Sequence, residues 1–589
     1  MTAPRRSDET SGGHHRSARR RWTPAVVAVV LLLGAGCTDT SPEGAGGGAT
    51  ESAEPPGILR VLTSRDDLTS LDPQRVGGPV ESALLGDFVH RTLVRYAQDP
   101  DPAGQFRLVP DLATDTGRPN EDLTEWTFSI RPDARWADGA PVTCADVAYG
   151  VSRQFAGEVL AGAVGVAVDL LDIPIGPDGT SVYEGPYSGE GQQFFDSAVT
   201  CDDGDLVFRL REPSADFAEA TTLLSFAPVR QDMDTGDQYG LEPMSSGPYV
   251  VSEYTPGSTL LLRRSTTWDA SSDPLRPAHP AEVLVELSVP PEQIARRIGA
   301  DAGEDAYALA VEPLAPDQVG TPLADREWDE PGQTVTFLSV DTAQLPLTEQ
   351  RHVVAAAVDR AAVVEAAGGA GAAEAADGVI APGLVADYRP TGLWDEVLGA
   401  SIPDGGDPEY AQELLARSGQ EMPVLTLDYP DSAAAEAQVS AVVSALSLAG
   451  LTVEPNPVPL TSYYQQVLDP SRRGHLSWLL WRPDWANASR VLPPLFSAGS
   501  DVNLSGVNQS GGVVDQTLQD LLDEGRVTTD RATQAELFAQ ANERVVDLGL
   551  VVPLTFSRSQ RAWGSGLDDV FYQAPLESYA FGQISLGPP

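Results

Sequence analysis

The chain of 589 residues contains no lysine, so all 38 of its basic side chains are arginine. They are outnumbered by 85 Asp and Glu, which gives a formal net charge of -47. We therefore expect no nucleic-acid partner, because binding along a phosphate backbone requires a basic surface. Cysteine and histidine are scarce as well, with three and six residues, so few side chains are available for thiol or metal chemistry.

Common catalytic motifs are also missing. The sequence contains no HExxH, no GxSxG, no GxGxxG behind a strand and no P-loop. Histidines are scattered along the body, at His90, His279, His352 and His475. Paired acids such as those at 202–203 would suit a glycosidase, but so many acids produce such pairs by chance. The sequence predicts no enzyme, no cofactor and no metal site.

Apolar residues make up 42% of the chain and aromatic residues 7%, which is typical of globular proteins. At roughly 150 residues per domain, the length predicts about three or four core-forming units, or one large body with insertions. Short strand-like runs alternate with helical runs. The spacing predicts strands over 58–62 and 126–131 and helices over 81–96, 146–155 and 351–367. This mixture indicates the α/β class.

The first 36 residues have the features of a secretory signal. Several arginines precede an apolar run over 25–33, which is too short to span a bilayer. Small residues then precede Cys37, and this arrangement resembles the lipobox at which bacterial lipoproteins are cleaved and acylated. Cleavage of an ordinary signal peptide elsewhere is the alternative. Residues 1–36 are thus predicted to be a signal peptide, and 37–57 an acylated cysteine with a Gly- and Pro-rich flexible tether.

Cys144 and Cys201 remain once Cys37 carries a lipid. Neither has a CxxC partner or a nearby histidine, so a metal site is disfavoured and a disulfide is expected in an oxidising compartment. A bridge between them would stabilise the fold by roughly 4 kcal/mol in the loop-entropy model.

Several motifs occur together in a recognisable order. Residues 126–147 read WTFSIRPDARWADGAPVTCADV, which combines a strand, an Asp-Gly turn and a helix that Thr143 can cap. This stretch resembles the signature of the bacterial extracellular solute-binding proteins of family 5, the peptide-binding and related receptors of ABC importers. Further stretches resemble the same family, at 108–113, 246–257, 337–360, 407–415, 450–453 and 551–554.

The resemblance implies a two-lobed fold of the periplasmic-binding-protein type, with an extra inserted subdomain and a ligand cleft between the lobes. Lobe I would comprise residues 58–100, 215–320 and 550–589. The inserted subdomain would occupy 101–214, and lobe II would occupy 321–549.

The best candidate binding segment is WLLWRPDWAN at 478–487, where three tryptophans surround one carboxylate. In peptide-binding members of the family an Asp in this motif pairs with the ligand's α-ammonium group. By resemblance, Asp484 would take that role, with Trp481 and Trp485 as walls. The alternative is that the tryptophans fill the core and Asp484 caps a helix. Leu71 and Asp72 follow the first strand and are expected to face the cleft from the other lobe.

These features predict a monomeric, extracytoplasmic receptor that captures an oligopeptide and delivers it to an ABC permease and its ATPase. Its lipid would anchor it to the outer face of the cell membrane and provide its only membrane contact. Alternatives are a non-peptide ligand, such as a nickel chelate, an oligosaccharide or an opine-like compound, and, less favoured, a cell-surface hydrolase. An arginine facing Asp484 would argue against capture of an ammonium group and favour an anionic or neutral ligand.

Overall fold

A computed structural model describes residues 57–66, 68, 70–177, 179–314, 323, 325–393 and 404–588. The predicted signal peptide, Cys37 and all but the last residue of the predicted tether lie outside this range. Residues Glu54–Pro589 form one compact unit.

The strands, in chain order, are β1 Ile58–Leu62, β2 Val94–Tyr96, β3 Leu108–Pro110, β4 Arg118–Pro119, β5 Glu125–Ser129, β6 Val199–Asp202, β7 Asp205–Arg209, β8 Tyr249–Thr255, β9 Thr259–Arg264, β10 Glu282–Glu286, β11 Ala308–Ala310, β12 Glu327–Val340, β13 Ala373–Ala375, β14 Leu425–Pro430, β15 Val453–Val458, β16 Leu476–Trp481, β17 Val551–Trp563, β18 Leu567–Asp568, β19 Tyr572–Gln573, β20 Ser578–Tyr579 and β21 Ser585–Leu586.

The helices described are α1 Pro79–Phe88, α2 Pro102–Gln105, α3 Cys144–Arg153, α4 Val166–Leu170, α5 Gln192–Ala198, α6 Phe217–Ala220, α7 Pro291–Ala300, α8 Thr348–Ala357, α9 Arg360–Ala366, α10 Pro408–Ser418, α11 Ala433–Leu448, α12 Leu460–Val467, α13 Leu492–Phe496, α14 Gln516–Val527 and α15 Arg531–Asp547. The predicted α/β class is confirmed. Within the described residues, no helix is long and apolar enough to cross a membrane.

One mixed sheet runs through the compact unit in the order β15-β14-β16-β12-β17-β11-β1-β10-β9-β8, with β13 paired to β17. β1 lies parallel to both β10 and β11, while β14 lies parallel to β15 and β16. The centre is an antiparallel pair of long strands, β12 with 14 residues and β17 with 13. These two strands therefore connect the part of the sheet built on β1 with the part built on β14 and β16.

Separate hydrophobic cores lie on the two parts. One gathers residues of β1, α1, β9, β10 and the C-terminal segment. Two others gather residues from β12, α8, α11, β16 and α15; apart from Tyr96 of β2, their buried members lie between 335 and 556. The lobe boundaries inferred from the resemblance stay a prediction.

A smaller sheet, β4-β5-β7-β6, has a core of its own, which we call the small-sheet core. The predicted disulfide is present, joining Cys144 at the start of α3 to Cys201 in β6 with a Cα–Cα distance of 5.7 Å. Thr143 caps α3 as predicted, because its side chain accepts the Asp146 amide while Asp146 accepts the Thr143 amide.

Two helix predictions need correction. The helix predicted over 81–96 ends at Phe88, and Val94–Tyr96 forms a strand paired with Leu108–Pro110. The helix predicted over 351–367 is divided into α8 and α9. The division occurs where Val358 is extended and Asp359 accepts the Ala362 amide as a new N-cap.

Candidate functional site

The segment 476–490 carries the candidate site. Strand β16 pairs with β12 on one side and with β14 on the other, which fixes its direction through the sheet. After Trp481 the chain leaves the sheet, and a short turn, Ala488–Arg490, begins where Asn487 accepts the Ser489 amide. This exit from the sheet places residues 482–485 at the wall of a cavity.

We call this cavity the cleft; its volume is about 150 Å³. Its walls come from distant parts of the chain, including α1, the strand β2, residues 164–166, 222–225 and 575–576, and the segment 482–485. The charged side chains on its lining are Asp87, Arg95, Arg276, Arg482 and Asp484.

Asp484 lines the cleft with its side chain 44% exposed, but it is already paired with an arginine. Arg490 donates from Nε at 3.1 Å and from Nη2 at 2.7 Å, both to Oδ2 of Asp484. No described residue donates a hydrogen bond to Oδ1. Both hydrogen bonds from Arg490 therefore go to Oδ2, and Oδ1 keeps its capacity to accept a hydrogen bond from a ligand.

Trp485 is a core residue as well as a lining residue. It is 3% exposed and packs into the small-sheet core. Its indole Nε1 donates to Asp216 at 2.8 Å, and Asp216 also accepts a hydrogen bond from Ser214 at 2.7 Å. The guanidinium carbon of Arg490 lies 4.6 Å from the centre of the Trp485 ring, a cation–π distance. Trp485 thus ties the site segment to residues 214–216.

A second cavity of about 570 Å³, the side cavity, is also lined by Trp485. Arg490 lines it together with Asp169, Arg211 and Arg526. Arg526 pairs with Glu212 at 2.5 Å, while Arg211 donates to backbone carbonyls of residues 168–173. Trp485 lines both cavities, with Asp484 on the cleft side and Arg490 on the side-cavity side.

The facing wall of the cleft is built on buried ion pairs. Arg276 donates to Asp111 at 2.6 Å and to Asp273 at 3.0 Å. Burial alone would raise the pKa of Asp111, but the adjacent guanidinium groups lower it overall. Arg95 pairs with Asp87, and its Nη1 is buried with no hydrogen-bond partner among the described residues. The charges of these arginines and acids therefore largely cancel.

Other predicted site residues lie elsewhere. Trp481 is half-buried and packs against the core that contains residues of β12, β16 and α15. It is not on the lining of the cleft, and its Nε1 donates to the Arg490 carbonyl at 2.8 Å. Leu71 and Asp72 are fully buried and do not line the cleft either. Asp72 receives two hydrogen bonds from Arg153, at 2.8 and 2.7 Å, and the ligand-binding role of Leu71 and Asp72 stays a prediction.

Glu219 is a polar residue near the site that the sequence did not indicate. Burial, together with the charge of nearby Asp216 and against the opposing charge of Arg531, raises its pKa to about 8. Its Oε2 is buried, and no residue in the described part of the chain hydrogen-bonds to it. Arg490 was missed too, although it follows Asp484 by six residues within the same polar turn. No group of three or more His, Cys, Asp or Glu that could hold a metal ion occurs in the described part of the chain.

A family model matches this architecture. The model described as bacterial extracellular solute-binding proteins, family 5 Middle, covers residues 107–503, more than half of the chain. The chain belongs to this family. The predicted resemblance is confirmed, and the family is one of extracytoplasmic binding proteins.

Relatives of this family 5 protein include peptide-binding proteins of Escherichia coli. It is 25% identical to the periplasmic murein peptide-binding protein MppA over 233 residues, which cover 37% of this chain and 38% of MppA. It is 35% identical to the periplasmic oligopeptide-binding protein OppA over 94 residues, 16% of each chain. The matched regions span less than half of these relatives.

Solved structures match over most of the chain. Clavulanic acid biosynthesis oligopeptide binding protein 2 has a TM-score of 0.77 at 27% identity, covering 90% of this chain and 96% of its own. The unliganded open form of MppA has a TM-score of 0.65 at 18% identity, covering 90% and 97%. Haemophilus influenzae OppA in complex with RPPGFSPFR has a TM-score of 0.59 at 16% identity, covering 90% and 99%. The predicted two-lobed binding-protein fold is thereby confirmed.

Proposed function

We propose that this family 5 protein is the receptor of an ABC importer that captures oligopeptides and delivers them to a membrane permease. The observation that carries the proposal is Asp484, a half-exposed carboxylate on the wall of a cleft built from distant parts of the chain. The relatives whose names describe murein peptide and oligopeptide binding support the same ligand class.

Ligand capture would use closure of the two lobes. The long antiparallel strands β12 and β17 connect the two parts of the main sheet, so rotation about them would change the width of the cleft. A ligand that contacts both walls stabilises the closed form by its differential affinity for that form. The permease would then recognise the closed receptor.

Asp484 would bind the amino end of the peptide. Its Oδ1 is open, and a charge-assisted hydrogen bond from an α-ammonium group gains strength when closure excludes water. Arg490 weakens this attraction because it neutralises Oδ2. The same pairing favours a neutral or anionic non-peptide ligand as the second candidate.

A ligand panel on the mature protein separates these candidates. The panel contains trialanine, tetraalanine and RPPGFSPFR with free and acetylated amino ends, together with oligosaccharides and nickel chelates. A ligand that binds only the native state raises the thermal midpoint by mass action. A rise of the thermal midpoint with peptides supports the proposal. No rise with any peptide, together with a rise caused by another class of ligand, overturns it.

Asp484→Asn tests the amino-end role directly. We expect this variant to lose the shift caused by free-amino peptides while its unliganded midpoint stays near that of the wild type. Asp232→Asn is the matched control, because Asp232 is exposed, paired with Arg230 and away from both cavities. Equal binding of free and acetylated peptides by the wild type would reject the role of Asp484 without rejecting peptide binding.

Lipid anchoring through Cys37 is part of the proposal. The supporting observation is the run of small residues before this cysteine. Cys37→Ser should release the protein from the membrane fraction into the medium, and mass spectrometry of the wild-type N-terminal peptide should find an acyl group on Cys37. Wild-type protein without this mass addition would overturn the anchoring.

A further inference from the structure

Arg490 contacts the two groups, the Asp484 carboxylate and the Trp485 ring, that should bind the ligand's α-ammonium group in the proposed amino-end site. Its guanidinium group contacts both parts of that site, the Asp484 carboxylate at 2.7 Å and the Trp485 ring at 4.6 Å. A carboxylate beside an aromatic face is an arrangement that binds organic cations. In this structure an arginine of the same chain fills it.

We propose that Arg490 is an internal counter-ion that competes with the ligand's α-ammonium group for Asp484 and so limits the affinity of the receptor for peptides. This inference rests on the proposed function. The ligand binds either after Arg490 leaves Oδ2 or beside it at Oδ1. In both cases the positive charge of Arg490 opposes the positive charge of the incoming amino end.

Exposure makes the Arg490–Asp484 pair exchangeable. The two side chains are 22% and 44% exposed, and ion pairs with this degree of exposure are weak. Arg276, which also lines the cleft, differs from Arg490 because it is 2% exposed and bound to acids that are fully buried. A ligand can thus displace Arg490 at low cost, whereas displacing Arg276 would leave buried charges unpaired.

Asp169 offers the released guanidinium group a second partner. It lines the side cavity together with Arg490. Burial and the charge of Asp484 raise the pKa of Asp169, while the charge of Arg490 lowers it, so the two groups already interact. Arg490 can therefore exchange Asp484 for Asp169 within the side cavity without losing all pairing.

The direct test compares peptide affinities of the wild type and Arg490→Gln by titration calorimetry. Gln keeps most of the length of the side chain and removes its charge. We expect Arg490→Gln to bind trialanine, tetraalanine or RPPGFSPFR about fivefold more tightly, the scale of one exposed ion pair. Acetylated peptides should bind both proteins equally. Arg118→Gln, which removes an exposed arginine paired with Asp115 away from the cavities, should change neither affinity.

Unchanged or weaker binding of free-amino peptides by Arg490→Gln would overturn the inference while leaving peptide binding intact. Tighter binding of both free and acetylated peptides would also overturn it, because the gain would then come from space and not from charge. If the wild type and every variant bind no peptide, the proposed function itself fails. The three results are distinguishable in one set of titrations.

Chemical rescue provides a second test that does not depend on one variant folding well. Arg490→Ala leaves a gap of the shape of a guanidinium group between Asp484 and Trp485. Millimolar ethylguanidinium chloride should lower the peptide affinity of Arg490→Ala toward the wild-type value, whereas potassium chloride at the same concentration should not. Equal effects of the two salts would contradict competition at this site.

A double-mutant cycle tests the role of Asp169. Asp169→Asn should weaken peptide binding in the wild type, because the displaced arginine loses its second partner, and should have no effect in the Arg490→Gln background. The same loss in both backgrounds would show that Asp169 acts directly on the ligand, and relocation of Arg490 to Asp169 would be rejected.

Discussion

Asp72→Asn removes one half of a buried ion pair. Asp72 and Arg153 have side chains that are 0% exposed, and two hydrogen bonds of 2.8 and 2.7 Å join them. Asp72 also accepts the Gln74 amide at 3.1 Å. In the variant, one carboxylate oxygen becomes an NH₂ group. At least one donor of Arg153 then faces another donor, and the guanidinium group keeps only Asp234, 3.1 Å from its Nε, as a buried carboxylate partner.

The expected loss follows from this burial. Breaking a buried pair by removing one partner costs about 3–5 kcal/mol. Melting entropies of about 2.1 cal/mol/K per residue give roughly 1.1 kcal/mol/K for a body of about 530 residues. The melting temperature of Asp72→Asn should therefore fall by about 3–5 °C. Asp232→Asn, which breaks an exposed pair worth about 0–1 kcal/mol, should shift it by less than about 1 °C.

Scanning calorimetry of the mature protein at pH 7 measures this difference, and peptide titration of the same samples completes the test. Because Asp72 is buried away from the lining of the cleft, its substitution should change peptide affinity less than about twofold. A melting temperature within about 1 °C of the wild type, combined with lost peptide binding, would refute the structural role. It would restore Asp72 as a ligand-binding residue.

Three further substitutions should change stability in defined directions. Cys144→Ser with Cys201→Ser opens a bridge between residues 57 apart and should cost about 4 kcal/mol, or about 4 °C in melting temperature, whereas equal melting with and without reductant would contradict this. Burial lowers the pKa of His90 to about 4, so the unfolded state takes up a proton first and wild-type stability should fall as the pH drops from about 6.5 to 4. His90→Gln should flatten that part of a melting curve against pH, and parallel curves would reject the assignment. Burial raises the pKa of Glu219 to about 8, so its contribution is full below about 4.5 and is lost as the pH rises through 8. Glu219→Gln should therefore gain melting temperature relative to the wild type between pH 5 and 9, and a constant difference would contradict the shift.

Local signals predicted local structure well. The capping box at Thr143 and Asp146 fixed the start of α3, a strand-like run of mostly apolar residues indicated β1, and alternating apolar residues indicated β5. Asp407 and Asp530 cap α10 and α15 in the way that their positions before helical runs indicate. These features depend on residues only a few positions apart, so the sequence contains the whole interaction.

Periodicity failed where the chain is buried on all sides. Leu84, Leu85, Phe88, Val89 and Leu93 are spaced as in one helix, yet the helix ends at Phe88. All five are buried, so their spacing reports burial and not helical phase. The pairing of β2 with β3 decides the structure there, and that contact is not local.

The site was predicted only in part for the same reason. The motif placed Asp484 and Trp485 on a cavity wall, which the structure also does. The motif could not show that Trp485 also packs into the small-sheet core, since that contact involves residues more than 250 positions away. Nor could the sequence around Leu71 and Asp72 predict that they are buried, because Asp72 pairs with Arg153 in α3.

Charge composition alone also gave no indication that Asp484 would be paired. With 85 acids and 38 arginines, most carboxylates have no arginine available, and an unpaired Asp484 is the natural expectation. The turn at 482–490 overrides this excess by placing Arg490 against both Asp484 and Trp485. Trp485 is itself held by its hydrogen bond to Asp216, so the pairing of Asp484 rests on a contact between residues 269 positions apart, which composition does not reveal.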